Sequence, residues 1–220
     1  MCIIAVCNDR KMTDQEFEYC WGNNSDGVGM GYATPAGKIV YVKGFMEQEQ
    51  AWDAYRKITR RKRSHVVHFR KKSAGEVCQA LTHPFIGEPM SPIKLAYAGT
   101  KPIVFHNGTH PDYESIVLSI SISQGRLPVG AMSDTRALAM LVGVLGVDAL
   151  KYAKGKFAVI TPKQIITYGD FTEEDGIEFS NTDYKYKPYT YAYSDTWKRD
   201  KQDPRTYLDP WSGMKEWDYD

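Results

Sequence analysis

The run Cys2-Ile3-Ile4-Ala5-Val6-Cys7 sets the tightest limit on what this chain can fold into. Its residues are all apolar and several are β-branched, with none of the alternation of a half-exposed strand. They predict a strand buried on both faces. The fold must then supply packing above and below its first strand. Removal of Met1 would leave Cys2 with a thiol and a free α-amine, groups that together can act as nucleophile and base. Taken alone, a Met-Cys terminus is more often just the small apolar start of a strand.

The rest of the chain decides between these. A length of 220 residues suits one substantial domain, or a domain with an appendage. A formal charge of +1 gives no global pull toward nucleic acid or anionic membrane, so any such binding must be local. No basic segment precedes a long apolar core, and no run is long enough to cross a membrane, so a cytoplasmic location is expected. The cysteines, Cys2, Cys7, Cys20 and Cys78, form no C-x-x-C pair to complement His65/His68 or His106/His110, which argues against a structural zinc site. They are also too few for a disulfide scaffold.

Along the chain, Thr13-Asp14-Gln15-Glu16 has capping-box spacing and predicts a helix to about Trp21. Asn23 to Asp26 then form a turn cluster before a strand in which Gly29 and Gly31 alternate. That alternation strips one strand face of side chains and admits another backbone or a ligand. Lys38–Val42 predicts the partner of a hairpin. Ala51, Ala54, Tyr55 and Ile58 mark an amphipathic helix from about Met46 to Arg61. Its end, Arg60-Arg61-Lys62-Arg63, reads as a solvated helix terminus before it reads as a nucleic-acid contact. Strands follow at Ser64–Phe69, Ile93–Ala98 and Ile103–Phe105. Ser133 opens a helix that is apolar nearly all round from Ala137 to Val144, and Lys156–Ile160 with Gln164–Tyr168 form a final hairpin. The order predicts an α/β or α+β domain rich in antiparallel pairs over residues 1–180. Beyond it, residues 181–220 concentrate tyrosine and tryptophan without a long aliphatic run. This tail cannot build its own core, so it wraps the domain or binds a partner.

Four polar clusters stand at strand ends or turns: Arg70, His83-Pro84, His106-Asn107-Gly108 and Ser133-Asp134-Thr135. Singly, each has an ordinary explanation as a surface ion pair, a loop histidine, a turn or a helix cap. Together with Cys2 they match, in order, the motifs of one family, and the chain resembles class II glutamine amidotransferase domains of the N-terminal nucleophile hydrolases. Asp26-Gly27-Val28-Gly29-Met30-Gly31-Tyr32 is similar to the family's D-G-x-G-x-G-[YW] strand. His68-Phe69-Arg70 through Gly75 is similar to its H-x-R-x-A-[ST]-x-G segment, and His83-Pro84, His106-Asn107-Gly108 and Ser133-Asp134-Thr135 to its H-P, H-N-G and S-D-[TS].

The resemblance implies an α+β fold, a four-layer αββα sandwich of two antiparallel sheets between helix layers. It implies catalysis by Cys2, with Asn107 and Gly108 as the oxyanion hole, and substrate binding by Arg70, Ser73, His83 and Asp134. No cofactor is implied. The substrate would be a small molecule, glutamine or another γ-glutamyl amide, and the ammonia could pass to a separate synthetase or acceptor-site protein. Lys71-Lys72, Ala74 and Arg136 depart from the family pattern and are expected to alter the pocket wall, which opens the question of substrate. Two alternatives stay open: a stand-alone hydrolase of another γ-glutamyl amide, and a catalytically silent scaffold that binds protein or nucleic acid.

Overall fold

The first strand is indeed covered on both faces, and its two covers define the architecture. In the structure, a computed structural model that describes residues 1–72, 76–186, 207–212 and 214, β1 (Ile3–Cys7) points Ile3, Ala5 and Cys7 into one core and Ile4 and Val6 into another. It lies inside a seven-stranded sheet with β2 (Val28–Ala33), β3 (Ile39–Phe45), β4 (His65–Phe69), β6 (Ala96–Gly99), β10 (Thr172–Glu174) and β11 (Ile177–Phe179). The order is β10-β11-β1-β4-β2-β3-β6. A four-stranded sheet carries β5 (Phe85–Ile86), β7 (Ile103–Asn107), β8 (Lys156–Ile160) and β9 (Ile165–Tyr168), in that order. Every pairing in both sheets is antiparallel.

The core on one side of β1 is closed by α1 (Asp14–Asn23) and α2 (Gln48–Ile58), through Phe17, Cys20, Trp21, Ala51, Ala54 and Tyr55. Thr13 caps α1 with the expected reciprocal bonds to Glu16. Ile4, Val6, Tyr41, Val66, Phe105 and Ile160 fill the space between the sheets. The outer face of the smaller sheet packs Val104, Phe157 and Val159 against Leu138, Ala139 and Val142 of α4 (Asp134–Leu145), with Ile116 of α3 (Tyr113–Gln124) at the margin. Each fully buried large aliphatic or aromatic side chain contributes about 1.5–3 kcal/mol to holding these layers together. The molecule is the expected α+β sandwich, helix layer, sheet, sheet, helix layer.

Several expectations need correction. The strand expected from Ile93 begins only at Ala96. The hairpin of β8 and β9 is not the last, because β10 and β11 follow and β11 pairs with β1 through Ala5↔Phe179 and Cys7↔Ile177. The helix α3 was not expected, since it leaves Leu118 and Ile122 exposed and so lacks a clean apolar stripe. Of the tail, the described part meets the domain: Trp211 packs near Phe45, and Gln79 exchanges hydrogen bonds with the Leu208 backbone, at 2.8 and 3.0 Å. No described helix is long and apolar enough to cross a membrane.

Candidate active site

The site assembles at the N-terminal end of β1. Cys2 is only 9% exposed, whereas Met1 before it is 79% exposed. The Lys71 N–H donates to Cys2 Sγ at 3.3 Å, and the thiol reaches the Lys71 carbonyl at the same distance. Asn181 Nδ2 donates to the Cys2 carbonyl at 2.5 Å. Burial pushes the Cys2 thiol pKa up; the Lys71 N–H, the Arg70 guanidinium and the chain's terminal amine pull against it, and Asp134 adds to the rise. Arg70 and Asp134 therefore both act electrostatically on the same sulfur.

Strand register explains how Arg70 arrives. Ile3 pairs with Phe69, so the next residue of β4's exit lies opposite Cys2. Arg70 is 5% exposed, exchanges backbone bonds with Asp26 and Gly27, and donates from Nη1 to the Glu76 carbonyl at 2.8 Å. The Lys72 N–H donates to Asp26 Oδ2 at 2.8 Å, which fixes the turn after Arg70. Ser73 lies outside the described residues, as does Ala74.

From the second sheet, Asn107 ends β7 and is 4% exposed. Its Nδ2 donates one hydrogen to Ser180 Oγ at 2.9 Å, and that oxygen also accepts from the Ile4 N–H at 2.9 Å. Ser180 thus joins the end of β7 to β1 across the two sheets. Its own N–H donates to the Ile4 carbonyl, and Lys156 Nζ donates to its carbonyl at 2.8 Å. Gly108 follows Asn107, where a Cβ would stand 2.8 Å from His106 Nε2.

Asp134 is the first residue of α4, placed by the Ser133 cap, whose hydroxyl accepts from the Arg136 N–H. Asp134 Oδ1 accepts from the Thr135 N–H at 2.8 Å and Oδ2 from the His110 N–H at 3.0 Å. His106 Nδ1 stands 3.7 Å from Oδ2 and 3.1 Å from Thr135 Oγ1. Burial lowers the His106 pKa although Asp134 pulls it upward, so the ring is neutral at pH 7. His83 is buried between the sheets with its ring 4.0 Å from that of His68, and its Nδ1 accepts from the His106 N–H at 3.4 Å.

The structure brings Cys2, Arg70, Asn107 and Asp134 around one strand end and puts His83 behind them. Arg136 does not contribute to a pocket wall as expected. It is buried, and its guanidinium donates to the carbonyls of Ser91, Ala131 and Val129 at 2.7–2.8 Å, tying two loops together. Sequence reasoning missed Ser180 and Asn181, which carry no motif and lie at the end of two short, charged strands. Among the described residues, no group of three or more His, Cys, Asp or Glu is placed to hold a metal ion.

Solved structures share this architecture. A glutamine phosphoribosylpyrophosphate (PRPP) amidotransferase from B. subtilis, complexed with ADP and GMP, matches with a TM-score of 0.56 and 15% identity over 82% of this chain and 42% of its own. A second, described as the allosteric regulatory enzyme of purine biosynthesis, matches with a TM-score of 0.57 and 16% identity over 81% and 41%. The chain spans about two-fifths of the length of these structures. The likeness is one of fold, two antiparallel sheets between helix layers. No protein-family model matches the chain. No curated protein matches it in sequence.

Proposed function

We propose that the chain hydrolyses the side-chain amide of glutamine, with Cys2 as an N-terminal nucleophile once Met1 is removed. The observation that carries this reading is that Arg70 and Asp134 both act electrostatically on Cys2 Sγ, while Ser180 ties Asn107 to Ile4 on the same strand, two residues away. The exposure of Met1 suits its removal.

The chemistry follows from the protonation state of the sulfur. Burial keeps Cys2 a thiol, so a base must take its proton during attack. The α-amine released by loss of Met1, with an ordinary pKa of about 7.7–8.0, is that base. Sγ bonds to the amide carbon as its proton passes to the amine. The second Nδ2 hydrogen of Asn107 and the Gly108 N–H stabilise the oxyanion. As the C–N bond breaks, the amine returns the proton to the leaving nitrogen, giving ammonia and a thioester. Water then attacks the thioester and gives its proton to the amine, and glutamate leaves as Sγ is reprotonated. Arg70 pairs with the substrate α-carboxylate, and Asp134, whose oxygens keep lone pairs beyond their backbone bonds, receives the α-ammonium. Ser73 and His83 support the pocket. The ammonia passes to a separate synthetase or acceptor-site protein, and the setting is cytoplasmic.

One observation favours a second reading. Lys71 and Lys72, both exposed, follow Arg70 directly and add positive charge at the rim, which suits a γ-glutamyl amide bearing a further acidic group. Ammonia release from glutamine separates these readings. We expect turnover that vanishes in Cys2→Ala and falls about 100- to 1000-fold in kcat in Asn107→Ala. Cleavage of γ-glutamyl conjugates without glutamine turnover would establish the second reading. Protein that begins at Cys2 and cleaves no amide would overturn both and leave a binding scaffold.

A further inference from the structure

We propose that the cavity at the opposite end of β1 from Cys2 binds the phosphate group of a small phosphorylated molecule. This cavity, of about 230 Å³, lies between the loop after β1 and the segment after α2. Arg10, Lys11, Arg61, Lys62 and Arg63 line it, with Asp9 as its one carboxylate. The concentration of charge is local, because the whole chain has a formal charge of only +1 and the cavity between the starts of α1 and α2 is lined by Asp14, Glu18 and Glu49. Excess cations at one place raise the local concentration of anions.

The negative end of the α2 dipole accounts for cations in its last turn, Arg56 and Lys57. It does not account for Arg10 and Lys11, which come from the loop after β1. Arg10 forms a fixed wall, forked onto Glu16 at 2.7 and 2.8 Å with Nε on the Asp175 carbonyl at 2.7 Å. Arg63 lays its guanidinium over the Tyr32 ring at 4.3 Å, and its Nη1 is buried without an acceptor among the described residues. A buried donor left in that state is destabilising, which favours a shift of the side chain toward an anionic oxygen in the cavity. Lys11 and Lys62 have no ion pair among the described residues. His65, held neutral by burial, adds no charge.

Cationic side chains arriving from both sides of a small cavity match a compact anion. A nucleic-acid strand would instead need aromatic faces on which bases stack. Tyr32, the ring beside Arg63, is 1% exposed and offers none.

The test is calorimetric titration of the full chain with inorganic phosphate, glucose 6-phosphate and a single-stranded DNA oligonucleotide, the ligands compared at matched ionic strength and the series repeated at increasing salt. Inorganic phosphate or glucose 6-phosphate should bind at one site, more weakly as salt rises. Preference for glucose 6-phosphate identifies a phosphomonoester site, and preference for inorganic phosphate a free-phosphate site. The double variant Lys62→Gln/Arg63→Gln should lose affinity about tenfold or more. Lys11→Glu, on the other wall and exposed, should do the same and remains informative if the double variant does not fold. Absence of saturable binding by both small phosphates, binding of the oligonucleotide alone, or unchanged affinity in folded variants would overturn the proposal. Glutamine turnover is not the readout, so this outcome is independent of the proposed hydrolase activity.

Discussion

At the scale of single residues, the proposed chemistry turns on a proton and on how Asn107 is held. The buried Cys2 thiol is not a standing thiolate, and His106, beside Asp134, is kept neutral by burial. Asn107 is held by Ser180, a residue with no visible motif. Ser180→Ala removes the acceptor shared by Asn107 Nδ2 and the Ile4 N–H. We expect kcat to fall about tenfold or more with KM nearly unchanged, and unfolding stability to drop by about 1–3 kcal/mol. Steady-state kinetics with urea unfolding check this, and a rise in KM at constant kcat would show that Ser180 serves substrate binding instead. Asp134→Asn should raise KM for glutamine, because it removes the charge proposed to meet the α-ammonium; an unaltered KM would contradict that role. Cys2, Arg70, Asn107 and Asp134 were legible because each sits in a short local motif. Ser180 and Asn181 were not, because their contacts with Ile4 and Cys2 span almost the whole chain.

At the scale of elements, strands and helices with a clear period or cap were legible: β1, the β2–β3 hairpin, α1, α2, α4 and the β8–β9 hairpin. The short strands β10 and β11 were not, because their residues Thr172–Glu174 and Ile177–Phe179 owe their conformation to pairing with each other and with β1. The bare face of β2 has a specific use. A Cβ on Gly29 would lie 1.8 Å from the His83 carbonyl oxygen, so the strand passes directly against the backbone of the loop beside the site. Gly29→Ala should destabilise the fold by about 3 kcal/mol or more, or prevent folding; a variant with wild-type stability in urea would show that this contact yields freely. On β4, burial lowers the His65 pKa to about 4 and that of His68 to about 3. The unfolded chain takes up these protons near pH 6.5, before the folded chain does, so their contribution is complete above that pH and is lost as pH falls through about 4 and then 3. For His65 the loss is on the order of 3 kcal/mol. Urea unfolding at pH 7.5 and 4.5 should show a larger loss in the wild type than in His65→Gln, and equal losses would exclude His65 as a cause.

At the scale of the molecule, the four layers place the proposed chemistry at one end of the first strand and a cationic cavity at the other. The apolar run at residues 2–7 foretold burial on both faces, and the motifs foretold which fold provides it. The spacing of motifs did not show that β11, far along the chain, closes the sheet beside β1. The chain spans about two-fifths of the length of the solved structures that share its fold, and the ammonia is proposed to pass to a separate acceptor-site protein. That proposal depends first on Cys2 being the terminal residue of the active form. The direct test is the rate of ammonia release from glutamine by protein of defined N-terminus, established by intact mass. The account predicts turnover when the chain begins at Cys2 and none when Met1 is retained; equal rates for the two forms would contradict it.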